Sequence, residues 1–150
     1  MKKNNKGFTL VELIVVLVIL AILAAILVPA LLGYIDKARQ SQYEEEAHSI
    51  LTAMQAYNTE QYAKGEDPIK AGSNSDVVSY VNKIVSPTKI DSWGEVAYTA
   101  ATNPSVSNST SHKAYTITGI TDLKFKSQNK EAEVTCTLSN GSWTITDVKN

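Results

Sequence analysis

The sequence predicts an α+β fold in which a long N-terminal helix packs on a small antiparallel β-sheet. Two observations carry this prediction. Residues 13–35 contain no charged side chain, and apolar residues continue at helical spacing to about residue 62. After residue 95, short β-prone runs follow one another, and the last two flank Asn140-Gly141, a strong hairpin signal. The helix therefore has an apolar first half and an amphipathic second half, and the sheet follows it.

The first half of the helix has the length of a membrane span. Its 23 uncharged residues would extend about 35 Å at roughly 1.5 Å per residue, which matches a hydrocarbon core of about 30 Å. Lys2, Lys3 and Lys6 precede it, so the N-terminus is expected in the cytoplasm. Three interpretations remain: a secretory signal, a permanent anchor, or a leader cut before the run. The length disfavours a removable signal.

Glu12 is the residue that a simple anchor does not explain. A carboxylate costs about 2.5–3.5 kcal/mol at the centre of a bilayer and less at its edge. Cleavage between Gly7 and Phe8 would place a positive α-amino group four residues before Glu12. These groups lie one turn apart within one helix, and a small axial stagger would bring one chain's amine to another chain's Glu12. Both pairings are open.

The segment KGFTLVEL at residues 6–13, followed by the apolar run, resembles the class III leader of type IV pilins and of the pseudopilins of type II secretion and competence systems. The resemblance covers residues 6–39. It implies that a prepilin peptidase cuts between Gly7 and Phe8, and that Phe8 becomes N-methylated. It also implies that Glu12 serves processing and subunit docking.

This resemblance divides the chain into three parts. Residues 1–7 form a leader that is removed on maturation, and residues 8–35 form a transmembrane helix that becomes the filament core. Residues 36–150 form the pilin head, which includes the amphipathic half of the long helix. Pro29 removes a helical donor and Gly33 adds freedom, so we expect a bend or a locally melted turn between them.

The head is predicted from local patterns. Gly and Pro in residues 64–68 predict the end of the long helix. Ser75 is expected to cap a short helix with an apolar stripe of Val77, Tyr80, Val81 and Ile84. The strand candidates are Val96 to Thr99, Tyr115 to Thr118, Leu123 to Lys126, Val134 to Ser139, and Trp143 to Thr146.

Composition and motifs give no sign of catalysis. The net charge of −1 lacks the basic excess of a nucleic-acid-binding protein. No phosphate loop, zinc spacing or calcium loop occurs, so neither a cofactor nor a metal is expected, and the chain is predicted not to be an enzyme. His48 and His112 are expected on the surface. Residues 44–46 are three glutamates on different helix faces, and they form either a solvated patch or a subunit contact with Lys37 or Arg39.

Three further features of the head have a structural interpretation. Cys136 is the only cysteine, and a small core residue is the expected role. It cannot close the disulfide of many Gram-negative pilins, which favours a Gram-positive type. Trp93 and Trp143 are expected to pack in the head, with sugar stacking as the alternative. The polar residues 99–112 are expected to form an exposed loop, in which Asn108 begins a weak glycosylation motif.

The resemblance implies a structural function. The chain would be the major pilin of a type IV pilus, inserted in the cytoplasmic membrane and then polymerised through its N-terminal helix into a surface filament for adhesion, motility or DNA uptake. Its partners would be copies of itself, the prepilin peptidase, and the assembly platform and its ATPase. The alternatives are a pseudopilin, a minor pilin, or a membrane-tethered carbohydrate-binding module that uses the tryptophans.

Overall fold

The computed structural model describes residues 7–100, 115–128 and 132–149. It confirms the α+β prediction. The chain divides into two compact units, Met1–Arg39 and Gln40–Asn150. The elements are α1 (Leu10–Lys64), α2 (Ser75–Ile84), β1 (Lys89–Ser92), β2 (Val96–Ala100), β3 (Tyr115–Lys126), β4 (Glu133–Ser139) and β5 (Ser142–Lys149).

Helix α1 begins two residues after the predicted start at Phe8. It ends at Lys64, directly before Gly65, within the range predicted for its end. Gly65 adopts a φ of 78° after the last helical residue, Lys64. The Gly65 amide donates to the Tyr62 carbonyl at 3.1 Å, and the Glu66 amide donates to the Gln61 carbonyl at 2.9 Å. This pair of bonds is a Schellman motif, which satisfies carbonyls that the helix end would leave without donors.

Pro29 and Gly33 both lie inside the described helix. The helix is continuous through these residues, with no locally melted turn. Proline removes a single backbone donor, and the helical hydrogen bonds on either side of it remain. A bend at this point stays a prediction.

Helix α2 is capped by Asn74, so the prediction of a Ser75 cap is wrong. The Asn74 backbone is extended, with φ −102° and ψ 122°, and its Oδ1 accepts the Asp76 amide at 2.9 Å. Asparagine is as good an N-cap as serine, and Ser75 becomes the first helical residue. Val77 and Val81 are buried as predicted, but Ile84 is 54% exposed.

The sheet is antiparallel, with strand order β1-β3-β4-β5, and β2 pairs with another part of β3. Strand β3 is a single strand of 12 residues, where the sequence predicted two strands. Between the two predicted strands, the pairing of β3 with β4 shifts in register from Ile120 to Leu123. Asp122 lies within this shift and has a φ of 46°. The β4–β5 hairpin is confirmed, with φ of 51° at Asn140 and 79° at Gly141, as a type I′ turn requires.

Strand β1 was not predicted, because Ile90 is the one apolar residue among its four. Ile90 is also the one buried residue of this strand. The side chain of Asn82 holds it against α2. Asn82 Nδ2 donates to the Ile90 carbonyl at 3.3 Å, and its Oδ1 accepts the Ile90 amide at 2.7 Å. This side chain satisfies both backbone groups as a neighbouring strand would.

The head has one hydrophobic core between α1 and the sheet. The apolar residues at helical spacing in the second half of α1 face this core: Ala47, Ile50, Leu51 and Met54 are buried and belong to one cluster with the inward residues of β3 and β4. Phe125 is the largest side chain that is fully buried. The core therefore depends on the alternation of inward and outward side chains along β3 and β4.

Cys136 lies in this core, as predicted, with a free thiol that is fully buried. Removal from water raises the pKa of the thiol to about 12, because the thiolate has lost its hydration. Burial also raises the pKa of Tyr98. Both groups are therefore neutral in the folded head at neutral pH.

We expect alkaline pH to destabilise the head through Cys136. The pKa of the folded thiol lies above its ordinary value of 9.0, so its contribution is complete below about pH 9 and is lost as pH rises toward 12. The loss should be on the order of 2 kcal/mol by pH 11. Urea unfolding of the full chain in detergent at pH 8 and pH 11 measures it. Cys136→Ala should lose less stability over the same interval, and an identical loss in both proteins would contradict this prediction.

Candidate assembly and processing site

The first part of α1 presents a continuous apolar surface. Every large apolar side chain from Phe8 to Ile35 is exposed, by between 39% and 84%. Among the described residues, α1 is the one helix long and apolar enough to cross a membrane, and none of its apolar window is buried in the chain. Apolar surface of this extent requires lipid or other helices around it.

Thr9 and Glu12 form a capping box at the start of α1. Glu12 Oε2 accepts the Thr9 amide at 2.8 Å and the Thr9 hydroxyl at 2.7 Å. In return, the Thr9 hydroxyl oxygen accepts the Glu12 amide at 3.3 Å. These bonds satisfy backbone amides that would have no partner at the helix start. The carboxylate is thus held close to the N-terminal end of the helix.

The sequence analysis did not identify this capping box, although its signal is present. Thr9 and Glu12 have the spacing of a capping box immediately before an apolar run. The cost of Glu12 in a membrane and its proximity to a new amine predict an assembly role only, and they do not reveal this local backbone role. Glu12 therefore has a structural role in a single chain besides the assembly role predicted for it.

The predicted cleavage point lies just before the helix. Gly7 and Phe8 are not helical, and Phe8 is 84% exposed. Apart from Gly7 and its chain neighbours, no atom of the described residues lies within 4 Å of the position that a Cβ would occupy on Gly7. A peptide bond outside a helix is not held by helical hydrogen bonds. Cleavage between Gly7 and Phe8, methylation of Phe8, and the assembly roles of Phe8 and Glu12 stay predictions.

The three consecutive glutamates on α1 have three environments. Glu44 is half-buried, Glu45 is exposed, and Glu46 is only 4% exposed. The three side chains lie on different faces of the helix, as predicted. The prediction of a solvated position is wrong for Glu46. Its Oε1 accepts the Ser127 hydroxyl at 2.9 Å. That partner lies 81 residues away in the sequence, so helical spacing alone could not identify the contact.

The other candidate residues of the head differ in their burial. Trp93 is 3% exposed, and its indole Nε1 donates to the Lys70 carbonyl at 2.9 Å, so the packing interpretation is confirmed for Trp93. Trp143 is half-buried, and His48 is exposed as predicted. Thr99 and Ala100, which the predicted loop of residues 99–112 included, belong to β2. The rest of that loop, with Asn108 and His112, lies outside the described residues.

Comparison with known proteins identifies the N-terminal segment. A family model described as the prokaryotic N-terminal methylation motif matches residues 2–28. No curated protein and no solved structure matches the chain. The matched segment implies processing by a prepilin peptidase and handling by pilus assembly machinery in general, and with the apolar helix it indicates a membrane-anchored precursor. The matched segment therefore marks a class III leader of the kind that type IV pilin-like prepilins carry.

Proposed function

We propose that this chain is the major structural subunit of a type IV pilus. The observation that carries the proposal is the exposed apolar surface from Phe8 to Ile35, which begins directly after the predicted cleavage point and contains Glu12 near its start. Lipid covers this surface in the precursor, and helices of neighbouring copies cover it in a filament. The surface thus has a partner both before and after assembly.

Assembly follows from the chemistry of the N-terminus. The peptidase cuts the Gly7–Phe8 bond, and methylation leaves the new amine of Phe8 positively charged. In the water-poor interior of a helix bundle, that amine and the Glu12 carboxylate of a neighbour attract each other more strongly than in water. The assembly platform and its ATPase move the subunit out of the membrane. The product is a surface filament, and we assign the chain no catalytic activity of its own.

The experiment is to identify the mature N-terminus and the filament in which it occurs. Mass spectrometry of the protein from sheared cell surfaces should find a chain that begins with N-methylated Phe8, in long fibres composed mainly of this chain. Processed protein found only in short structures within the envelope would instead assign a pseudopilin. An unprocessed Met1 would contradict both functions.

A further inference from the structure

Glu46 lies in a cleft of the head between α1 and the turn at residues 85–88. Its side chain is more than nine-tenths buried, with 4% exposed. Oε1 accepts two hydrogen bonds, from Gln42 Nε2 at 2.8 Å and from Ser127 Oγ at 2.9 Å. Oε2 is also buried and accepts none from the described residues. A buried carboxylate oxygen without a donor destabilises a fold, so a donor that reaches this atom would stabilise it.

The cleft has room for more than a water molecule. Its volume is about 580 Å³, whereas one water occupies roughly 30 Å³ of liquid. One part of the lining is apolar, with Ile84, Val85 and Pro87 beside Ala53 of α1. Ile84 is 54% exposed although it belongs to the apolar stripe of α2. No lysine or arginine lines the cleft among the described residues.

These features fit an aliphatic chain that ends in a positive charge. Lysine and arginine side chains place their methylene groups on apolar surface while the charged end meets an acceptor. A charge-assisted hydrogen bond to Oε2 would be about twice as strong as a neutral one. A metal ion fits less well, because the described residues contain no group of three or more His, Cys, Asp or Glu side chains.

We propose that the cleft receives a lysine or arginine side chain from a neighbouring copy of this chain, with Glu46 as the counter-ion. This inference rests on the proposed function, since a filament supplies the neighbouring copy. Helix α1, through which the copies would pack, forms one wall of the cleft. Lys37 and Arg39 are exposed on the same helix, and they are the first partners to test.

Glu46→Gln separates this proposal from a purely structural role. The amide keeps the Oε1 acceptor for Gln42 and Ser127 and replaces the charged Oε2 acceptor with a neutral NH2 donor. Thermal unfolding of the full chain in detergent should show a midpoint that is unchanged or a few degrees higher than that of wild type. Filaments of the same variant should dissociate at lower temperature, and their stability should no longer fall with added salt. Glu45→Gln, which removes an exposed charge one residue away, is the matched control and should change neither property.

Several results would overturn the proposal while leaving the proposed function intact. If wild type forms filaments and the Glu46→Gln filaments are equally stable, the proposed contact is excluded. A lower unfolding midpoint for the detergent-solubilised variant would make Glu46 a fold-stabilising residue. Filaments that match wild type in both Lys37→Gln and Arg39→Gln would remove the two cations named for this contact.

A small probe tests the recognition chemistry without filaments. Titration of the full chain in detergent with n-butylguanidinium should give saturable NMR shifts of the Ile84 methyl groups. Glu46→Gln should weaken this binding about tenfold, and Glu45→Gln should not. The absence of saturable shifts in wild type would overturn the proposal even if the chain forms no filament.

Discussion

Glu12→Ala should abolish surface filaments while the prepilin still inserts into the membrane and is still cleaved. The expected reduction in sheared filaments is at least about tenfold, which corresponds to roughly 1.4 kcal/mol or more per subunit. The physical reason is the loss of the negative partner of the Phe8 amine in every subunit contact. Immunoblots of membrane and sheared fractions measure insertion, cleavage and assembly in the same cells. Abundant filaments from this variant would contradict the register role of Glu12.

The capping box offers a competing explanation, because alanine also removes the cap. Loss of a helix cap costs about 0.5–2 kcal/mol, and a frayed first turn would also misplace Phe8. Two variants separate the roles. Glu12→Gln keeps a side-chain acceptor for Thr9 but removes the charge, whereas Thr9→Ala weakens the cap and keeps the charge. If the charge directs assembly, Glu12→Gln should lack filaments and Thr9→Ala should retain them.

The geometry allows Glu12 to perform both roles. Oε2 is occupied by the amide and hydroxyl of Thr9, whereas Oε1 accepts no hydrogen bond from the part of the chain that the structure describes. A cap that fixes the carboxylate in one rotamer lowers the entropy cost of a second contact. The amine of a neighbouring copy would then meet an oxygen that is already oriented. The separate contributions of the cap and of the charge thereby become a measurable difference between the two variants.

Elements with strong local signals could be predicted from the sequence. The end of α1 follows from Gly65, whose positive φ terminates the helix, and the β4–β5 hairpin follows from Asn140-Gly141. Both depend on backbone preferences of a few adjacent residues. The apolar half of α1 depends only on composition and length. These features need no information about the tertiary contacts of the head.

Features that depend on distant partners could not be predicted. Strand β1 exists because Asn82 and β3 supply its hydrogen bonds, and its own four residues carry little pattern. The burial of Glu46 depends on Ser127 in the connection after β3. The capping box is a different case, since the spacing of Thr9 and Glu12 is itself a local signal in the sequence.

Phe125→Ala should unfold a large fraction of the head. Phe125 is fully buried in the middle of the core, and its partners across the sheet are Ile90 and Val134. Truncation of such a side chain costs about 3–5 kcal/mol through lost burial and the cavity left behind, out of a typical total of 5–15 kcal/mol. Urea unfolding of the full chain in detergent, followed by the fluorescence of the buried Trp93, measures the loss.

Lys124→Ala is the matched control for this prediction, because Lys124 is the preceding residue on the same strand and is exposed. Its effect should stay within about 0.5 kcal/mol, as for most surface substitutions. Equal effects of the two substitutions would contradict the register of β3, since a slip by one residue exchanges its inward and outward faces. Cleavage between Gly7 and Phe8 should continue in Phe125→Ala, because its motif lies in the N-terminal unit. The variant should therefore accumulate as processed subunits that form no filaments, which separates the folding of the head from maturation of the N-terminus.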